Sequence, residues 1–343
     1  MQPWLTTAKS FNSLKVLHHE RKRLEGHFSI ERLFASIRRR MPADCKVTTS
    51  NAPEPSRGVV PRIRNVWHAS RQQADVHHIV GDSHYLAFGL PPAKTVLTIH
   101  DCAALNRLKG PSRALLKYFW FSGPMKRAAA VTAISQTSKD ELRRWVGRLA
   151  DKVTVVPDCV FDDFEYAPKR FDERRPVVLQ IGTKANKNFE RVAEAVAATG
   201  CQLQVIGDLD SEQRSLCGRL GVPYCALGVV SDEQLVQAFR RCDMVVFASL
   251  YEGFGLPILE GQATGRPVIT SKLSSLPEAA GEGALLVDPY SVEDIRSAIL
   301  RLIKDPDLRR SLVEKGLINV KKFRPEAIAA RYADIYREIA AIA

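Results

Sequence analysis

Short runs rich in valine and isoleucine alternate with longer amphipathic segments along the whole 343-residue chain, and this rhythm limits the fold more than any other feature. In the first half the runs are KVLHH (15–19), CKVTT (45–49), DVHHIV (75–80), KTVLTIHD (94–101), AAVTAIS (129–135) and KVTVVPD (152–158). In the second half they are PVVLQIGT (176–183), CQLQVIGD (201–208), MVVFAS (244–249), RPVITS (266–271) and ALLVDP (284–289). Segments such as NFERVAEAVAATG (188–200) and SVEDIRSAILRLIKD (291–305) read as helices between them. Strands this apolar are buried on both faces, which calls for parallel sheets covered by helices.

The rhythm breaks at PDCVFDDFEYAPKRFDERRP, residues 157–176, where prolines and charges gather before a fresh strand. Domains usually run to about 100–200 residues, so the chain reads as α/β with two doubly wound, Rossmann-like domains, residues 1–157 and 158–325. The last segment sets Ile328, Tyr332, Ile335, Tyr336 and Ile339 on one helical face. A helix over 326–343 is therefore open to packing against either domain, the first included. Ligands of open α/β sheets sit outside the carboxyl ends of the strands, so two such domains facing each other would form an interdomain cleft.

Charge is divided unevenly between the halves. Residues 1–157 hold 26 Lys and Arg against 11 Asp and Glu, whereas the remainder holds 24 against 27. The excess cations point the first half toward a polyanion or an anionic membrane surface. No helix–turn–helix, RNP or zinc motif accompanies them, so nucleic acid is not an expected partner. No apolar run reaches the roughly 18 residues a bilayer span needs, and MQPWLTTAKSFNSLKV lacks the core of a signal peptide, which gives a cytoplasmic expectation. The seven cysteines are scattered, with no CxxC pair, and read as reduced structural thiols.

The stretch SLYEGFGLPILEGQATGRPVITS, residues 249–271, places Glu252 and Glu260 eight positions apart around two glycines and a proline. Ser249 and Glu252 match an S-x-x-E capping box, but a helix begun there would carry Gly253, Gly255 and Pro257 in its first turns, where they are costly. Pro257 suits the first helical position instead. The residues from Glu252 to Leu256 thus form a loop at a strand's carboxyl end, whose small residues admit a ligand close to the backbone N–H groups. The following helix aims its positive N-terminus into the same space, a seat for phosphate. Glu260, one turn in, is placed for ribose hydroxyls, and Glu252 for those of a second sugar.

The run EGFGLPILE, residues 252–260, matches the E-x7-E signature of retaining glycosyltransferases and resembles family 4, whose fold is the two-domain GT-B arrangement. The likeness covers 227–291 almost throughout, and extends to IGTKANKNFERVAEA (181–195), TIHD (98–101) and TAISQTSKDEL (132–142). It hardly touches the first 70 residues.

The resemblance implies roles for individual residues. Glu260 would bind the nucleotide ribose, and Glu252 a hydroxyl of the donor sugar beside the reacting centre. Phe254, Gly255 and Leu256 would offer backbone N–H groups to sugar and diphosphate, with Gly253 in the same donor-binding loop and Gly182, Thr183 and Lys187 on the donor side, Lys187 at the diphosphate. The family often pairs that lysine with an arginine just after the glycine; here Thr183 follows Gly182, and Lys184 is the candidate substitute. Leu227, Gly228, Val229 and Val230 resemble the base-pocket segment, with Ser231 capping the next helix. His100 ends a buried strand and is the second catalytic candidate, with Asp101 orienting it or capping the loop.

The implied reaction is transfer of a hexose from a nucleotide diphosphate sugar, with retention, to a glycan or lipid-linked saccharide in surface polysaccharide synthesis. Mannose from GDP-mannose leads, with UDP-linked sugars as the alternative. Lys187 and the helix N-terminus would take the leaving-group charge, so neither a metal nor a cofactor is expected. Asp208-Leu209-Asp210 has the DxD form that another glycosyltransferase fold uses for metal, but reads here as a loop and helix cap. His77, His78 and His84 lack metal-ligand spacing.

Two stretches of the basic half are candidates for the acceptor or membrane side. HFSIERLFASIRRR sets Ile30, Leu33, Phe34 and Ile37 on one stripe ahead of Arg38, Arg39 and Arg40. SRALLKYFWFSGPMKR mixes Leu115, Leu116, Phe119, Trp120 and Phe121 with Arg113, Lys117, Lys126 and Arg127. Each suits an anionic leaflet or an ordinary core-facing helix. A nucleotide-sugar epimerase of the same architecture and an inactive nucleotide-binding or nucleic-acid-binding module stand as alternatives, and the oligomeric state is unread.

Overall fold

A computed structural model of the chain describes residues 13–22 and 29–342. The N-terminal residues 1–12, on which most of the signal-peptide reading rests, and residues 23–28, which include the start of HFSIERLFASIRRR, lie outside them. The described chain divides into two compact units. One holds the residues up to Thr132 with Leu142–Thr154 and the chain from Ala329 onward; the other holds Ala133–Glu141 and Val155–Ile328.

The first unit is built on six strands: β1 (Leu14–Glu20), β2 (Cys45–Asn51), β3 (Val76–Ile79), β4 (Thr95–Ile99), β5 (Ala130–Ala133) and β6 (Val153–Val155), in the order β2-β1-β3-β4-β5-β6. β1 pairs in parallel with β2 and β3, and β3 with β4. β3 and β4 are buried at every residue, as strands covered on both faces must be. Helix Ser29–Arg39 packs Leu33, Phe34 and Ile37 into this core. Its apolar stripe therefore faces its own sheet, so of the two readings open for this helix the core-facing one holds.

Histidines fill part of the same core. His18 and His78 both reach the hydroxyl of Tyr336, at 2.9 and 2.7 Å, and His78 meets Thr98 at 2.7 Å. Tyr332 and Tyr336 of helix Pro325–Ile342 are buried in this unit. Burial pulls His18 and His78 well below the usual imidazole range, so both are neutral hydrogen-bonding groups of the core.

The second unit has strands β7 (Val177–Ile181), β8 (Gln202–Ile206), β9 (Tyr224–Ala226), β10 (Met244–Phe247), β11 (Val268–Ser271) and β12 (Ala284–Val287), in the order β12-β11-β10-β7-β8-β9. All five strand pairs are parallel. β9, three residues long, has no expectation in the sequence; YCA offers too short an apolar run to register. The chain runs outward from β7 through β8 and β9 on one side, and from β10 through β11 and β12 on the other. The topological switch point thus lies between β7 and β10, with Val178 opposite Met244 and Leu179 opposite Val245. A ligand crevice is expected at the carboxyl ends of these two strands.

Candidate active site

Two loops leave the switch point. The one after β7 opens at Gly182, whose φ of 85° is left-handed. The stem of Lys187 crosses this glycine so closely that a Cβ there would stand 2.9 Å from Lys187 Cγ. Only glycine tolerates both the backbone angle and that approach. The turn closes through the Lys187 amide, which donates to Lys184 O at 2.7 Å, and Gln180 Nε2 donates to Lys187 O at 2.9 Å. Asn188, left-handed at φ 59° and buried, donates from Nδ2 to Ala248 O at 3.0 Å and to Pro289 O at 2.6 Å. Those two carbonyls lie just beyond β10 and β12, so one amide side chain ties three strand ends together.

The loop after β10 meets it there. Lys187 Nζ lies 2.7 Å from Glu252 Oε1, and Asn186 Nδ2 lies 3.3 Å from the same oxygen. The lysine also stands 4.7 Å from the centre of the Phe247 ring. Sixty-five residues separate the two charges in sequence. They are neighbours because β7 and β10 are.

Serines fix the Glu252 loop by its carbonyls. Ser274 Oγ donates to Glu252 O at 2.7 Å, Ser275 Oγ lies 2.6 Å from Phe254 O, and Ser135 Oγ donates to Gly253 O at 2.9 Å. The Phe254 side chain is buried against Phe323. With the oxygens held, the N–H groups of Gly253, Phe254 and Gly255 have no protein acceptor among the described residues. Helix Leu256–Ala263 starts immediately after, one residue earlier than Pro257 was expected to open it. Gly255, at φ 132°, leaves no room for a Cβ, which would meet Leu276 Cδ2 at 2.9 Å. Successive free amides leading into a helix N-terminus make a concavity suited to an anion. Ser249 Oγ is buried with no partner among the described residues, so the S-x-x-E pair caps nothing.

Glu260 sits one turn into that helix and is buried. At the far end of the crevice, Gly207 and Gly228 form an antiparallel bridge after β8 and β9, with the Gly207 amide 3.0 Å from Gly228 O. Thr183 Oγ1 donates to Asp208 O at 2.8 Å, which ties the β7 loop to this bridge. Leu227 and Val229 are exposed and Val230 half-buried. Ser231 caps helix Asp232–Arg241 in a reciprocal capping box with Gln234. Asp210 does the same for Ser211–Leu220 with Gln213, so this DxD is a helix start. Lys184 is exposed beside the loop.

In the first unit, His100 follows β4 and its Nε2 donates to Val80 O at 2.8 Å. Asp101 Oδ1 accepts from the Ala103 amide at 2.8 Å, which makes it a loop cap. Arg38 is held by buried Glu20 at 2.6 Å, while Arg39 donates to Ser36 Oγ at 3.1 Å and Arg40 is exposed just past the helix end. Trp120 Nε1 donates to Asp82 O at 2.8 Å. The sequence offered no signal for Asn188, Ser135, Ser274 or Ser275, whose roles depend on partners distant in the chain.

A family model for glycosyltransferase family 4 matches residues 24–164, and one for glycosyl transferases group 1 matches residues 162–317. O-antigen chain mannosyltransferase B of Escherichia coli is 38% identical over 301 residues, which cover 80% of this chain and 77% of that protein. The serotype-specific mannosyltransferase WbdA of Escherichia coli is 27% identical over 259 residues, 68% of this chain and 32% of that protein. The chain thus spans about a third of the length of this relative. Among solved structures, Anabaena Alr3699/HepE in complex with UDP and glucose superposes with a TM-score of 0.74 at 19% identity, over 95% of this chain and all of that one. At that identity the likeness is one of fold.

Proposed function

The chain belongs to the family 4 glycosyltransferases, and from that membership we propose that it transfers mannose from GDP-mannose to a glycan or lipid-linked saccharide in surface polysaccharide synthesis. The observation that carries the reading is the pairing of Lys187 with Glu252 beside three free loop amides at the switch point. A nucleotide diphosphate sugar supplies what each group lacks: phosphate oxygens for the lysine and amides, hydroxyls for the carboxylate. Donor binding exchanges the internal ion pair for these contacts, so neither charge is left buried and unpaired. The mannosyl donor is supported by the relative that aligns over four-fifths of the chain, an O-antigen chain mannosyltransferase.

In the reaction, the bond from the anomeric carbon to the diphosphate oxygen breaks as the acceptor oxygen bonds to the same face of that carbon. The acceptor's proton passes to the departing phosphate. Lys187 and the amides of residues 253–255 stabilise the charge that develops on the diphosphate, and no divalent ion is needed. Gly228 and Val230 border the base, Glu260 holds the ribose, and His100 is assigned to the reacting sugar and acceptor by its resemblance to the family alone.

Thermal-shift titration of the wild type and Glu260→Ala with GDP, UDP, ADP and their sugars, with magnesium and with chelator, tests this. A ligand at a hundred times its Kd adds about 2.7 kcal/mol. GDP and GDP-mannose should raise the midpoint whether or not metal is present, and the rise should shrink in the variant. A response confined to UDP compounds would reassign the donor, and a response that vanished with chelator would overturn the metal-free scheme. Conversion of the nucleotide sugar without any acceptor would favour the epimerase.

A further inference from the structure

Helix Val59–Ser70 of the first unit is inside out. Its buried positions are Asn65 and Ala69. Asn65 is locked by bonds from Nδ2 to Glu54 O and Tyr85 Oη, both at 2.9 Å, and by the Glu54 amide at 3.0 Å. Facing water instead are Val59, Ile63 and Trp67, spaced four apart on one stripe and 70, 61 and 57% exposed. Beside the helix runs the segment containing Leu115, Tyr118 and Phe119, also exposed. Between them lies a groove of about 400 Å³ lined by Val59, Ile63, Val66, Phe88, Phe119 and Trp120. Exposed apolar surface of this continuity marks a place where something docks.

The charge around it identifies what docks. Residues 55–74 contain Arg57, Arg62, Arg64 and Arg71, of which Arg64 is paired with the flanking Glu54 at 3.2 Å, and residues 107–127 contain six Lys and Arg; neither run holds a carboxylate of its own. Arg62 lies 4.5 Å over the Trp120 ring and Arg71 3.5 Å over that of Trp67, so cations and aromatics share one face. A second copy seated symmetrically would set these cations against themselves. We propose that this face of the first unit docks on an anionic phospholipid leaflet, with Val59, Ile63, Trp67 and Phe119 entering the headgroup–acyl boundary and the arginines meeting lipid phosphates. The docking does not depend on which sugar is transferred. It also replaces helix Ser29–Arg39, whose apolar stripe is spent on the core.

The test is sedimentation of the full chain with phosphatidylcholine vesicles, with and without phosphatidylglycerol, at low and high salt. The wild type should bind the anionic vesicles and be released by salt. Ile63→Asp combined with Trp67→Asp should weaken binding by at least about tenfold, since each residue withdraws a large apolar side chain from the boundary. Ile318→Asp, at an exposed position of the second unit, should bind as wild type. The thermal midpoint and the nucleotide-induced shift should be unchanged in all of them, which separates a failure here from a failure of the donor site. Absence of vesicle binding, or binding indifferent to the Ile63/Trp67 pair, would overturn the proposal. So would a concentration-dependent dimer that Ile63→Asp dissociates, because the face would then belong to a second copy.

Discussion

Gly182→Ala tests how a backbone angle controls the charge 2.7 Å from Glu252. At φ 85° an alanine pays the left-handed penalty of about 1–2 kcal/mol. Its Cβ would also fall 2.9 Å from Lys187 Cγ, 3.2 Å from Cε and 3.3 Å from Cδ, so the whole lysine stem must move rather than its tip alone. Losing one charge-assisted hydrogen bond to the ligand's phosphate costs about 1.5–3 kcal/mol, roughly a 10- to 150-fold rise in Kd. Calorimetric titration with GDP, alongside thermal unfolding, reads both effects. Gly182→Ala should lower the midpoint by about 2–8 °C and weaken GDP, while Lys187→Met should weaken GDP comparably with little change in midpoint. If the glycine acts through the lysine, the double variant binds GDP no worse than Lys187→Met alone. An alanine variant that unfolds earlier but binds GDP within about threefold of wild type would refute the coupling, since that is under 1 kcal/mol.

Two further outcomes follow from the buried groups. Asn188→Ala removes three hydrogen bonds, two donated to the Ala248 and Pro289 carbonyls, which it strands, and one accepted from Arg191, so urea unfolding should show a loss of about 3 kcal/mol; a loss under about 1 would mean the strand ends hold without it. Burial pulls His84 down to about 4 and His19 to about 3, the latter helped by His77. Between these values and the unfolded pKa near 6.5, the unfolded chain binds more protons, so stability falls as pH drops through that window. Each should cost about 2 kcal/mol by pH 5, above the range where ordinary carboxylates titrate, and a flat urea midpoint from pH 7 to 5 would contradict their burial as neutral rings.

Local pattern sufficed for much of this protein. Apolar runs and their spacing mark eleven of its strands, most plainly β3, β4, β10 and β11, which are buried at every residue and so need an unbroken apolar run. The glycines and proline of 252–257 likewise announce a loop and a helix start, because backbone angle is a property of the residue itself. Tertiary structure decided the rest. Lys187 and Glu252 meet only because β7 pairs with β10 instead of stopping at β8, a choice made by the packing of the sheet. The serines that hold the loop's carbonyls come from residues 135, 274 and 275, and no periodicity links them to Gly253. Helix Val59–Ser70 makes the point most plainly. Its sequence shows that one stripe is apolar, but which stripe turns inward was settled by Asn65 finding Tyr85 and the Glu54 backbone, partners that a helix cannot see from its own period.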